Sequence, residues 1–241
     1  MIPVVRSSQP AVLRKNSAKW LTKLREAQTQ YQVLNSAPDA KIAQVKEAKR
    51  RVDNAQNKYR HSAVKDALDN MFHGKCAYCE SKITIVTYGA IEHFFPKSVH
   101  IELTFEWRNL LFSCDLCNDV NHKGTNFPLD GNGNPLLIDP TDGITDPRTH
   151  LEFVWDGIAG VASIFGRDQR GRAVETIFDL NGINRRKELV NHRSRYIKRL
   201  FALLRLAQQG DNEAIALLRE ACDPSAEYSA FALACIRPYL S

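Results

Sequence analysis

Two stretches decide the fold of this 241-residue chain: CAYCESKITIVTYGAIEHFFPKS at residues 76–98 and WRNLLFSCDLCNDVNHKGTNFP at residues 107–128. Each contains one Cys-x-x-Cys pair, formed by Cys76 with Cys79 and by Cys114 with Cys117. Two such pairs supply the four thiolates of a closed tetrahedral zinc site. The alternatives are a redox pair, expected beside a βαβ pattern that is not visible here, and disulfides, which a cytosolic chain does not keep. The spacing favours structural zinc.

The residues between the pairs are of catalytic type. If the Glu92-His93 segment is extended, the carboxylate and the imidazole point to opposite faces, so one can hold a metal ion while the other faces a water molecule. An imidazole titrates near neutral pH, which suits it to take a proton from that water. Asn109 opens an apolar run that reads as the second strand of a hairpin, and its amide can tie the loop that presents His93. After Cys117 we expect a helix to start at Asn118, and Asn118 and His122 then share a helix face that closes the coordination of a Mg²⁺-like ion opposite Glu92.

The order Cys-x-x-Cys, Glu-His, Asn, Cys-x-x-Cys-Asn, with Pro96-Lys97 after the His, resembles the HNH endonuclease family and its ββα-metal fold. The resemblance implies a general base, an orienting amide and two ligands of a catalytic Mg²⁺ or Mn²⁺ ion, which fall on His93, Asn109, Glu92 and Asn118.

His122 lies where many members of that family place a second helical ligand. The common ending reads Cys-Asn-x-x-Lys-Gly, and this chain is two residues longer between Asn118 and Gly124. The resemblance therefore implies that His122 is either a metal ligand or a loop residue that contacts phosphate.

A wider resemblance covers most of the chain. The runs IPVVRSSQPAVL, CAYCE, IEHFFPKS, KGTNFP, LLIDPTD and TIFDLNGINRRKELVNHR are similar to the PtuB-like family, the HNH nuclease subunits of Septu-type anti-phage defence systems, a family also found as a retron effector. The resemblance implies a nuclease that works with a PtuA-like ATPase subunit. Because the chain has no Walker motif, any ATP use belongs to that partner.

The formal net charge of +6 is unevenly distributed. Residues 1–75 carry a balance of +9, residues 76–180 of −7 and residues 181–241 of +4. An acidic core repels phosphate except at its metal, so the basic flanks or a partner must supply most of the grip on nucleic acid. Solvated helix faces are the alternative reading. The basic side chains that we expect to contact nucleic acid or a partner are Lys97, Lys123, Arg185, Arg186, Lys187 and Arg193.

The predicted fold class is α+β in three parts: a helical hairpin (residues 1–75), a zinc-stapled ββα-metal HNH core with a small antiparallel sheet (residues 76–180) and a helical region (residues 181–241). In the first part, apolar periodicity predicts one helix over 11–34 and a second, capped by Asp39, that runs to Gly74. In the second part, short strands are predicted at 150–155, 160–165 and 172–180. A basic helix is predicted after Asn184.

The chain shows neither a signal-type start nor a run of about 18 apolar residues, so we expect a cytoplasmic protein without a membrane span. The predicted function is hydrolysis of phosphodiester bonds, with DNA favoured over RNA. The alternatives are a catalytically silent zinc-knuckle module that binds nucleic acid and an assembly subunit whose knuckles only build an interface.

Overall fold

A computed structural model describes residues 1–85 and 87–240. The architecture is α+β, as predicted, with two small antiparallel sheets among many helices. In chain order the elements are α1 (Ala11–Ser36), α2 (Ile42–Gln56), α3 (Ser62–Phe72), β1 (Ala90–His93), β2 (Leu110–Ser113), α4 (Asp115–Asn118), α5 (Pro147–His150), β3 (Leu151–Asp156), β4 (Val161–Gly166), α6 (Gln169–Ile177), α7 (Lys187–Ala207), α8 (Asn212–Ala221) and α9 (Ser229–Cys235). Among the described residues, none of these helices has the length and apolar character that a bilayer span requires.

The chain forms two compact units. The knuckle unit, which holds all four knuckle cysteines, consists of Met1–Arg6, Asp69–Ala90 and Phe112–Ser241. The arm unit consists of Ser7–Leu68 and Ile91–Leu111. The predicted three-part division at residues 75 and 180 stays a prediction.

In the arm unit, α1 packs against α2 as the predicted hairpin. The prediction of a single helix from Asp39 to Gly74 is wrong. The residue before the first turn of α2 is Lys41, and a 3-10 turn follows over Asn57–Arg60. His61 is extended (φ −61°, ψ 139°) and its Nδ1 accepts the Ala63 N–H, so it separates α2 from α3. The break buries Tyr59, which is 2% exposed.

The strands β1 and β2 form a two-stranded sheet. Just before β1, the backbone of Gly89 packs closely against the Phe112 ring, so that a Cβ at this position would lie 2.5 Å from the ring. The backbone of Gly89 also has φ +65°. A left-handed residue in such close contact must be glycine. At the other end of the strand the Phe94 N–H donates to the Asn109 carbonyl at 2.9 Å, which sets the start of β2.

The second sheet lies in the knuckle unit, where β3 pairs antiparallel with β4, and Phe153 faces Ile164 across the ladder. The third strand predicted at 172–180 is wrong, since the structure places α6 there. The Asp168 carboxylate caps α6 by accepting the Gly171 N–H at 2.8 Å. Val174 and Phe178, one helical turn apart, are both fully buried. Their spacing is helical, and the cap makes the helix the more stable choice.

The C-terminal region is helical, as predicted, and α7 packs mainly on α8 and β4. Its buried stripe follows steps of three and four residues, at Ile197, Leu200 and Leu204. This stripe and the buried Leu218 of α8 form the apolar side of the helical region.

Candidate metal centre and nuclease site

The four knuckle cysteines meet in one cluster. Their sulfur atoms all lie within 4.8 Å of one another, and the Sγ atoms of Cys79 and Cys114 are 3.9 Å apart. Tetrahedral zinc with Zn–S bonds of about 2.3 Å places its sulfur ligands roughly 3.8 Å apart, whereas a disulfide requires about 2.05 Å. The spacing and the all-thiol donor set fit a metal ion such as zinc, and the cysteines are not paired as disulfides.

Local backbone geometry builds each knuckle. In the first, the Glu80 N–H donates to the Cys76 carbonyl and the Cys76 N–H donates to the Ser81 carbonyl, which closes a turn with Glu80 at φ 60°. The Ala77 N–H donates to the Phe112 carbonyl at 2.8 Å and joins this turn to β2. In the second knuckle the Cys114 sulfur caps α4 by accepting the Cys117 N–H at 3.4 Å. A thiolate gains from a helix N-terminus in the way that a carboxylate does.

A buried ionic network supports the first knuckle from behind. The Lys75 Nζ lies 3.3 Å from Glu80 Oε1 and donates to the Ala226 carbonyl and to Ser229 Oγ. The Ala230 N–H donates to the second oxygen of Glu80 at 3.3 Å. Burial lowers the pKa of Lys75. Burial by itself would raise the pKa of Glu80, but the positive charges of the amino terminus and of Lys75 outweigh it, and the pKa of Glu80 is lowered. The network fixes the turn to the segment that begins α9, and no sequence signal pointed to it.

In the arm unit, the imidazole of His93 is held by a backbone carbonyl. Its Nε2 lies 3.0 Å from the Thr104 oxygen, in a position that is only 4% exposed. A carbonyl oxygen can only accept, so the neutral imidazole that makes this bond carries its proton on Nε2 and its basic lone pair on Nδ1. Tyr59 packs edge-on against the ring, with centroids 4.5 Å apart at 87°. The tautomer is the one that a general base acting through Nδ1 requires.

The Asn109 side chain ties the His93 loop together, as the sequence predicted. Its Oδ1 accepts the Phe95 N–H at 2.7 Å, and its Nδ2 donates to the carbonyls of Phe95 and Leu103 at 3.0 and 3.2 Å. Phe95 lies two residues after His93, and Leu103 lies just before the carbonyl that His93 binds. One amide therefore fixes both partners of the histidine's hydrogen bond. Glu92, beside them on β1, is 4% exposed.

Asn118 and His122 lie in the knuckle unit, and the expectation that they share a helix face is wrong. Helix α4 ends at Asn118, and Asp119 is extended with ψ 156°. The helix begins at the Cys114 cap, four residues earlier than the expected start. Burial, together with the charge of Arg186, lowers the pKa of His122, and its Nδ1 is buried without a hydrogen-bond partner among the described residues. A neutral imidazole of this kind suits a metal ligand, but a shared ion with Glu92 stays a prediction.

The comparisons with known proteins place the chain beside one group. It is 38% identical over 125 residues to Septu protein PtuB of Bacillus mycoides (strain KBAB4), a match that covers 42% of this chain and 41% of the relative. It is 33% identical over 123 residues to Septu protein PtuB of Bacillus thuringiensis, covering 51% of this chain and 42% of the relative. The chain is similar to part of Septu PtuB. It spans about two fifths of the length of these curated relatives.

The PtuB-like resemblance predicted from the sequence motifs is thus confirmed. No family model matches the chain, so the HNH assignment of this PtuB-like protein stays a prediction.

The basic residues expected on the surface of the PtuB-like chain divide into two groups. Arg185 and Lys187 are exposed, and Lys97 is half-exposed with its ammonium 5.5 Å from the Tyr59 ring centroid. The side chains that the structure buries instead are those of Lys123, Arg186 and Arg193, at 0%, 4% and 0% exposure.

The prediction that these three side chains contact nucleic acid or a partner is wrong, because they lie inside the protein. Each of them lies close to a group that accepts its hydrogen bonds or faces its charge. The Lys123 ammonium lies 5.9 Å from the Phe127 ring centroid, and Arg193 donates twice to the Ala162 carbonyl. The Arg186 Nη1 donates to the Cys117 sulfur at 3.3 Å.

Proposed function

We propose that this PtuB-like chain is a metal-dependent HNH-type endonuclease that cuts nucleic acid, with DNA favoured over RNA, in a Septu-type anti-phage defence system. The observation that supports the proposal is the bond from the His93 Nε2–H to the Thr104 carbonyl, because a neutral imidazole that donates from Nε2 carries its proton-accepting lone pair on Nδ1, as the proposed general base requires. The order β1, β2, α4 around two cysteine knuckles is consistent with the ββα arrangement of such nucleases. The similarity to two PtuB proteins supports the assignment to defence.

In the proposed reaction, His93 Nδ1 takes a proton from a water molecule and the resulting hydroxide attacks the phosphorus. The bond from phosphorus to the 3′ oxygen breaks, and that oxygen takes a proton from solvent. Asn109 holds the loop that keeps His93 in place. Glu92, Asn118 and His122 are the residues that would bind a Mg²⁺ or Mn²⁺ ion, which stabilises negative charge on the phosphate. The Cys76, Cys79, Cys114 and Cys117 site is structural and takes no part in proton transfer.

The proposed partner is a PtuA-like ATPase subunit. The exposed Arg185 and Lys187 and the half-buried Lys97 are the side chains that we propose contact the nucleic-acid backbone or this subunit. Since phosphate contacts are independent of base identity, cleavage is expected to show little sequence preference unless the partner directs it.

A cleavage assay on plasmid DNA and on total RNA, with Mg²⁺ or Mn²⁺ and with or without the ATPase subunit, tests the proposal. His93→Ala should abolish cleavage and leave the zinc content unchanged, whereas Cys114→Ala should lose both because metal binding there is also folding energy. His192→Ala, at an exposed histidine of α7, is the matched control and should cut like the wild type.

Cleavage by His93→Ala at the wild-type rate would contradict the assigned base. Binding of nucleic acid without turnover, with the ATPase subunit and either metal present, would instead identify a silent zinc-knuckle module.

A further inference from the structure

Arg186 places a full positive charge inside the knuckle unit. The residue lies just before α7 and is 4% exposed. Its Nη1 donates to the Phe178 carbonyl at 2.5 Å and to the Cys117 sulfur at 3.3 Å. A buried guanidinium is costly unless an anion lies beside it, so its counter-ion identifies what it serves.

Sulfur is the counter-ion of this guanidinium. Among the described residues, no carboxylate oxygen forms an ion pair with Arg186 within 4.0 Å. The nearby Asp179 carboxylate accepts the backbone N–H groups of Asn184 and Arg186 instead.

The backbone around Arg186 is strained in a way that holds the side chain in place. Asp179 and Arg185 have φ of 44° and 84°, in the left-handed region that residues with a Cβ seldom occupy. Such conformations persist where the surrounding contacts over-determine them. The Asp179 carboxylate supplies two of these contacts through its bonds to the N–H groups of Asn184 and Arg186. These contacts fix the segment from 179 to 186 in the conformation that places the Arg186 guanidinium beside Cys117.

We propose that Arg186 is a positioning residue of the cysteine metal centre, which binds the Cys117 thiolate and offsets part of the excess negative charge of four thiolates around one divalent ion. The proposal rests on metal binding by the four cysteines and is independent of nuclease activity. Four thiolates and a divalent cation carry a net charge of −2, which Arg186 reduces to −1. Groups that hydrogen-bond to metal ligands commonly change metal affinity by about 10–100-fold.

The test measures metal retention in the full-length, zinc-loaded chain by competition with a colorimetric chelator. Arg186→Met keeps much of the side-chain volume without the charge and should weaken zinc affinity about 10–100-fold. Arg186→Lys keeps the charge without the planar fork and should recover part of that loss. Lys198→Met removes an exposed cation of α7 and should bind zinc like the wild type.

Cobalt(II) substitution gives a second readout that does not depend on affinity. Because the guanidinium withdraws electron density from the Cys117 sulfur, the thiolate-to-cobalt charge-transfer band should shift in Arg186→Met and move back toward the wild-type position in Arg186→Lys. If Arg186→Met does not fold, Arg186→Gln, which also removes the charge but keeps a polar end group, takes its place in the same comparison with wild type. Zinc affinity of Arg186→Met within twofold of wild type, or an unchanged cobalt spectrum in the charge-altered variants, would overturn the proposal and leave Arg186 a packing residue.

Discussion

Replacing Asn109 by Ala removes three hydrogen bonds from the interior of the arm unit at once. The Phe95 N–H and the carbonyls of Phe95 and Leu103 lose their partner, and the site is 4% exposed, so water replaces the amide poorly. A buried polar group left without a partner costs about 1–3 kcal/mol. Since carbonyls tolerate the loss better than an N–H and the three costs are not additive, we expect a destabilisation of about 2–4 kcal/mol.

Urea unfolding followed by tryptophan fluorescence measures this change, because Trp107 lies two residues from Asn109 and Trp20 lies in the same unit. The matched control is Asn54→Ala, at an exposed asparagine of α2, which should stay within about 0.5 kcal/mol of the wild type. Because Asn109 fixes both partners of the His93 bond, cleavage should fall about 100-fold below wild type while zinc content is retained. A loss below about 0.5 kcal/mol in Asn109→Ala would show that the amide does not hold the loop.

Two further predictions concern a buried arginine and a half-buried cysteine of the knuckle unit. Arg193→Gln should lower stability by about 1–3 kcal/mol, because the bonds to the Ala162 carbonyl are lost inside the protein. Arg195→Gln, at the exposed position two residues on, should leave stability unchanged and reduce the salt dependence of nucleic-acid binding; the reverse pattern in denaturation and binding titrations would refute this division. Burial raises the pKa of Cys235 to about 11, so about one thiol in a thousand is ionised at pH 8 and iodoacetamide should modify it slowly in peptide mapping. Modification as fast as that of an ordinary cysteine would contradict the raised pKa of this half-buried thiol.

Features with local signals were predictable from the sequence. The α1 helix follows from apolar residues at three- and four-residue steps, and the cysteine cluster follows from two pairs with metal-ligand spacing. The bonds from Asn109 to the His93 loop were predictable because an amide at the start of a strand has few other partners than the neighbouring loop, while its catalytic role stays a prediction. The start of α4 was placed four residues late, since a cysteine cap is not among the usual helix-start signals.

Features that depend on tertiary contacts were not predictable in the same way. Charge density marked Arg193 as a surface residue, although its spacing to Ile197, Leu200 and Leu204 places it on the buried stripe of α7. A helical projection would have detected it. Arg186 carries no such signal, because its burial depends on a sulfur atom that lies 69 positions earlier in the chain.

The ionic network beside the first knuckle determines the order in which this part of the chain can fold during synthesis. Cys76, Cys79, Cys114 and Cys117 leave the ribosome well before the segment from Ala226 to Ala230, which satisfies Lys75 and Glu80. At roughly 5–20 residues per second, the interval from Cys117 to Ala230 lasts on the order of 6–20 s. During that time a nascent chain can gather its metal ligands, but Lys75 and Glu80 must stay hydrated. Lys75 and Glu80 can therefore lose their water and become buried only after the segment that begins α9 has been made.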